Sequence, residues 1–176
     1  ADRGSLFFEY NIPRMGRRAD VIALIDDIVF ILEFKTSEQR FTREALTQVW
    51  DYALDLKNFQ EGCIDRVMIP ILIAPKEKNN HCRFELKHFE DNVYEPLLTN
   101  SLRFKECIDN TIQLIPHESI QSLNLSSADV PCQTINISTE TWLIVQHVFI
   151  PCHMFACCTN HHSYINHCKE CTHTRD

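Results

Sequence analysis

Two apolar runs interrupted by a pair of aspartates, VIALI-DD-IVFILEF over residues 21–34, constrain this chain more than any other stretch. Val21, Ala23 and Ile25 are apolar, and so are Ile22 and Leu24 between them. Strands greasy on both faces belong in the middle of a sheet covered by helices. The break at Asp26-Asp27 is short, so the runs should fold back on each other as an antiparallel hairpin, although the favoured glycine is missing. A turn centred there pairs Ile25 with Ile28 and Leu24 with Val29. The same count sets Asp20 opposite Glu33; an odd loop would slip it by one.

Side chains opposite each other in a sheet have Cβ atoms about 4.5–5.5 Å apart, and like charges so placed destabilise it. Glu33 and Lys35 are two residues apart and share a face. Two carboxylates and an ammonium therefore converge at one end of a buried hairpin. Hard oxygen donors at that spacing suit Mg²⁺ or Mn²⁺, which takes one or two carboxylates plus waters and substrate phosphates. A lysine beside the ion can orient or deprotonate a water, and the ion offsets charge on the scissile phosphate. A surface salt bridge would explain one acid and one base, but not three groups at the end of otherwise apolar strands. Asp26 and Asp27 read as turn residues only.

After Lys35 a helix is expected from Thr42, an N-cap residue with Glu44 in the first turn. Leu46, Val49, Trp50, Ala53 and Leu56 recur at helical spacing and predict a core-facing stripe. Gln48 and Tyr52 lie one turn apart on its flank. Asp20, Glu33-Phe34-Lys35 and Gln48-x-x-x-Tyr52 together resemble the PD-(D/E)XK nuclease superfamily, RecB-like members above all. The wording IPRMGRRADVI…EFK…QVWDYALDLKNF is similar to the N-terminal nuclease-like region of bacterial Schlafen-like DNA/RNA helicase proteins, over about residues 5 to 115. That resemblance implies a restriction-endonuclease-like α/β fold, a mixed sheet flanked by helices. It implies metal ligands at Asp20 and Glu33, completed by the Phe34 carbonyl, with Lys35 positioning the attacking water. Glu9, from a leading helix, would assist the metal shell, while Gln48 and Tyr52 would orient substrate or ligands. The substrate implied is DNA, with RNA as the alternative.

Arg14, Arg17 and Arg18 form a local basic patch suited to a nucleic-acid backbone, although the formal net charge is −7. That acidity argues against tight autonomous DNA binding, where neutralised phosphates supply much of the affinity. It keeps a second reading open: a nuclease-fold module that binds nucleic acid or protein without turnover. The relatives carry an ATPase motor, but this sequence has no phosphate-cradling Gly-x-x-x-x-Gly-Lys-Ser/Thr. Further along, RVMIPILIAP predicts a buried strand whose Pro70 marks an edge or bulge, and CRFELKHF a further strand. Residues 92–113 predict one or two helices with Leu97, Leu98, Leu102, Phe104, Ile108 and Ile112 in the core. The element order expected is helix, strands, helix, strand.

Composition divides the chain into a nuclease-like domain over residues 1–130 and a low-charge tail over residues 131–176. Five of nine cysteines and five of nine histidines fall between Cys152 and His173. Zinc prefers two short-spaced ligand pairs, and Cys157/His161 with Cys168/Cys171 could be drawn. Several other pairings fit equally well, so the tail is expected to be disordered, or a third possibility, not a native reading frame. No cysteine precedes Cys63, which argues against the iron–sulfur cluster of some RecB-like nucleases. The opening ADRGSLFFEY has neither Met nor a signal-peptide pattern, so the expectation is a fragment in a cytoplasmic setting.

Overall fold

The computed structural model describes residues 4–12, 15–37, 40–78 and 81–115. The Cys/His-rich tail, its zinc pairings and Arg14 lie outside the described residues. Within them the chain is an α/β fold. Strands β1 (Gly4–Ile12), β2 (Arg17–Ile25) and β3 (Ile28–Phe34) come first, followed by helix α1 (Arg43–Phe59). Strand β4 (Val67–Ile73), the short strands β5 (His88–Glu90), β6 (Val93–Tyr94) and β7 (Leu97–Thr99), and helix α2 (Phe104–Leu114) complete it. The seven strands form one mixed sheet in the order β1-β2-β3-β4-β6-β5, with β7 also paired to β4. No helix among the described residues is long and apolar enough to cross a membrane.

The hairpin forms as its sequence dictates. Strands β2 and β3 pair antiparallel, Ile25 with Ile28 and Leu24 with Val29, outward to Val21 with Leu32. Asp26 adopts φ 52°, supplying the left-handed residue that tight reversals require and that Asp tolerates better than most residues. Arg66, itself buried, fastens this turn by donating to the Asp26 carbonyl at 3.1 Å and facing Asp27 at 3.7 Å. Beyond Val21–Leu32 the ladder gives way to a side-chain clasp: the Phe34 backbone N–H donates to Asp20 Oδ2 at 2.8 Å.

Every residue of β3 is buried because both faces are covered. Val21, Ala23, Phe30, Leu32, Ile69 and Ile71 pack beneath Phe104, Cys107 and Ile108 of α2. Ile22, Leu24, Val29, Ile31, Met68 and Leu72 pack against Ala45, Val49, Tyr52, Ala53 and Leu56 of α1. Strand β4 joins β3 in parallel after the α1 crossover, the connection a parallel pair needs.

Several expectations are corrected. The chain opens on a strand, so Glu9 sits in β1 and not in a leading helix. The stretch CRFELKHF contributes only an isolated bridge at Arg83 and the three residues of β5. Residues 93–99 form β6 and β7, with α2 the one helix of that region, because Val93, Leu97 and Leu98 pair with the otherwise open side of β4. Leu102 lies in the turn ahead of α2 and is 89% exposed, not core. Pro70 is interior, paired with Ile31 on the β3 side. Met68 donates to Asn92 and Ile73 accepts from Lys35. Alternate residues of a parallel strand address opposite neighbours, so position 70 addresses the far side, at the changeover from β6 to β7. A proline is tolerated there because its missing N–H removes no bond to β3.

Candidate active site

Glu33 and Lys35 leave the end of β3 toward the face that α1 covers. The helix starts at Thr42, whose Oγ1 accepts from the Ala45 N–H at 3.2 Å, and that start fixes which residues of α1 point back at the strand end. Gln48 and Tyr52 do, one turn apart. Lys35 Nζ donates to Glu33 Oε1 at 2.9 Å and to Gln48 Oε1 at 2.9 Å. Gln48 Nε2 in turn lies 3.0 Å from Glu33 Oε1 and 2.6 Å from the Tyr52 hydroxyl. The roles in this ring are set: Glu33 and the Tyr52 hydroxyl accept, Lys35 donates, and the Gln48 amide does both, which fixes its orientation.

Glu33 is the pivot. Its side chain is 5% exposed, and while Oε1 takes two donors, Oε2 is buried without a hydrogen-bond partner. Burial, reinforced by the nearby Asp20 carboxylate, pushes the Glu33 carboxyl up to about 7. Lys35 pulls the other way, as does the Asp20 backbone N–H nearby, yet no donor completes a bond to Oε2. Burial likewise pushes the Tyr52 phenol up. Asp20 is half-buried at the same end of the hairpin.

The register adds a third acid to the same level. Strand β1 pairs with β2 through Phe8–Val21 and Tyr10–Ala19, so Glu9 falls opposite Asp20, as Asp20 falls opposite Glu33. Glu9 has φ 52°, a strained conformation for a residue inside a strand. Alternation breaks there: Leu6 packs on the α2 side but Tyr10 on the α1 side. The Glu9 carboxylate pairs with Arg18 and stands outside the Glu33–Lys35–Gln48–Tyr52 ring.

Arg17 pairs with Asp51 at 3.2 Å. Both line an open groove of about 440 Å³ together with Arg43, Glu44, Thr47 and Gln48. Arg43, Thr47 and Asp51 were not among the residues singled out from sequence. Their signal was legible, since they step by four along α1 on the side that carries Gln48.

Among the described residues no group of three or more His, Cys, Asp or Glu gathers as a metal site, the kind of cage zinc requires. One or two carboxylates with waters suffice for Mg²⁺, and the donor set fits that ion: hard oxygens, with Glu33 Oε2 buried and undonated. No family model, no curated protein and no solved structure matches the chain.

Proposed function

We propose that the described residues form a restriction-endonuclease-like core and act as a metal-dependent nuclease, hydrolysing phosphodiester bonds of DNA or, alternatively, RNA. What supports this reading above all is Glu33: a buried carboxylate with one oxygen bound to Lys35 and Gln48 and the other without a donor, beside Asp20. Such an oxygen lowers its energy by gaining a proton or a cation, and a divalent ion satisfies it and Asp20 together. The ion, held by Asp20 and Glu33 with the Phe34 carbonyl beside them, would supply Lewis-acid stabilisation of charge at the phosphate.

The remaining roles fall to the chain itself. Lys35, oriented by Glu33 and Gln48, holds its ammonium where it can steer a water and take up negative charge as the bond breaks. Gln48 keeps that ammonium in place, and Tyr52 keeps Gln48 in place. Arg17 and Arg18, exposed at the start of β2, are suited to backbone phosphates. Glu9 is a reserve carboxylate, engaged by Arg18.

The test is cleavage of labelled single- and double-stranded oligonucleotides in Mg²⁺ or Mn²⁺. Lys35→Ala should lower the rate by at least about 100-fold and leave oligonucleotide binding intact. Binding without cleavage on every substrate would favour a nuclease-fold module without turnover. That second reading draws support from the net charge of −7 and from the ring that already occupies Lys35.

A further inference from the structure

The groove along α1 shares a wall with the candidate active site, because Gln48 belongs to both. On one side Arg43, Thr47 and Asp51 make a continuous ridge at steps of one helical turn. On the other stands Arg17, the first residue of β2. At about 440 Å³ the groove lies within the range of about 300–1,000 Å³ typical of clefts for one small ligand. A single nucleotide fits within such a space, whereas a duplex would lie across its rim.

Its charges point the same way. Two guanidiniums, Arg17 and Arg43, are offset by two carboxylates, Glu44 and Asp51. A track for the paired strands of a duplex needs a clear excess of cations, since affinity there grows with the number of phosphates neutralised. A balanced groove suits a ligand with one anionic group and a polar edge. The Arg17–Asp51 pair is nearly half exposed on each side, 45% and 43%, and pairs so exposed contribute little. A phosphate, which arginine grips through two parallel bonds, can therefore take Arg17 from Asp51. The released Asp51, with Glu44, then accepts from ring N–H and amino groups, as carboxylates do on base edges. The Thr47 hydroxyl can donate or accept beside them.

We infer that this groove seats one unpaired nucleotide next to the scissile bond, its phosphate on Arg17 and Arg43 and its base edge against Glu44 and Asp51. The substrate is accordingly a single strand or a frayed end, not continuous duplex. The inference rests on the nuclease reading for the meaning of the adjacent site, but the binding step is separable from turnover.

The experiment measures fluorescence anisotropy of the full chain with labelled oligonucleotides in Ca²⁺, a divalent ion chosen to suppress cleavage, across a salt series. DNA and RNA single strands are compared with blunt duplexes of the same sequence. Single strands should bind at least about tenfold tighter than duplex. The double variant Arg17→Ala/Arg43→Ala should lose about tenfold on single strands and flatten the salt dependence by about 0.7 per arginine. Both arginines are exposed, and circular dichroism of the variant checks that the fold persists. Equal binding of duplex and single strand overturns the inference. So does a double variant with unchanged affinity and salt slope, or no binding to any oligonucleotide. A parallel cleavage assay in Mg²⁺ keeps the two readings apart. Groove-dependent binding without cleavage sinks the nuclease and leaves the groove; cleavage insensitive to both arginines does the reverse.

Discussion

Replacing Glu33 by Gln should change how stability depends on pH, and in a direction the structure fixes. The Glu33 carboxyl is raised from 4.5 to about 7 by burial and by Asp20. Between those values the native state holds a proton that the unfolded chain has released, so stability falls as pH rises through this window and levels off above it. One unit corresponds to about 1.4 kcal/mol, so the shift amounts to roughly 3 kcal/mol lost from about pH 4.5 to about pH 8. Glu33→Gln retains an acceptor for Lys35 and removes the titration. Urea unfolding in EDTA, run on both proteins from about pH 5 to about pH 8, isolates the effect because other titrating groups are common to the two. The wild type should lose roughly 2–3 kcal/mol relative to the variant over that range. A second arm adds millimolar Mg²⁺ at the alkaline end. An ion that binds only the folded state stabilises it, so the wild type should recover and the variant should respond less. Parallel pH curves for the two proteins, or a wild type that gains on the variant with rising pH, would refute the account of Glu33.

Three other substitutions probe the frame around the site. Gln48→Ala removes contacts to Lys35, Glu33 and Tyr52 at once; with about 1–3 kcal/mol for each buried polar group left unsatisfied, thermal melts should show a loss of roughly 2–4 kcal/mol. Thr42→Ala deletes the α1 N-cap and should cost about 1 kcal/mol in the same assay. Pro70→Val should destabilise by about 1–3 kcal/mol despite valine's better strand propensity, because it introduces an N–H where β6 gives way to β7 and β3 is on the other side. A stabilised Pro70 variant would contradict that placement.

Where the sequence was legible, the physics was local and strongly patterned. The hairpin needed only two apolar runs and a two-residue break, and its register followed by counting. The α1 start was readable from Thr42, and the placing of Gln48 and Tyr52 one turn apart on the same side of α1 from the helical period. The misreadings concern residues whose state depends on distant neighbours. Strand β1 was missed because its pairing with β2, not its pattern, makes it a strand. Residues 93–99 look helical by composition, but β4 offers an unfilled edge that captures them. The reading of Pro70 as an edge or bulge marker follows a rule that asks whether a strand is central and overlooks which side each N–H addresses. At the site, the separation of the two Glu33 oxygens into a bonded and an undonated one depends on Gln48, fifteen positions downstream, and no one-dimensional pattern carries it.

The fastening of Asp26 and Asp27 by Arg66 reaches further than the turn it holds. A hairpin that slides by a single position exchanges its two faces. In this chain that exchange would bury Glu33 under α2 and turn the Phe34 ring toward Gln48. The staple and the carboxylate stand at opposite ends of β3, roughly 20 Å apart at strand rise. Arg66 therefore acts as a distant guardian of orientation, deciding which helix the chemistry looks at without touching any group that performs it.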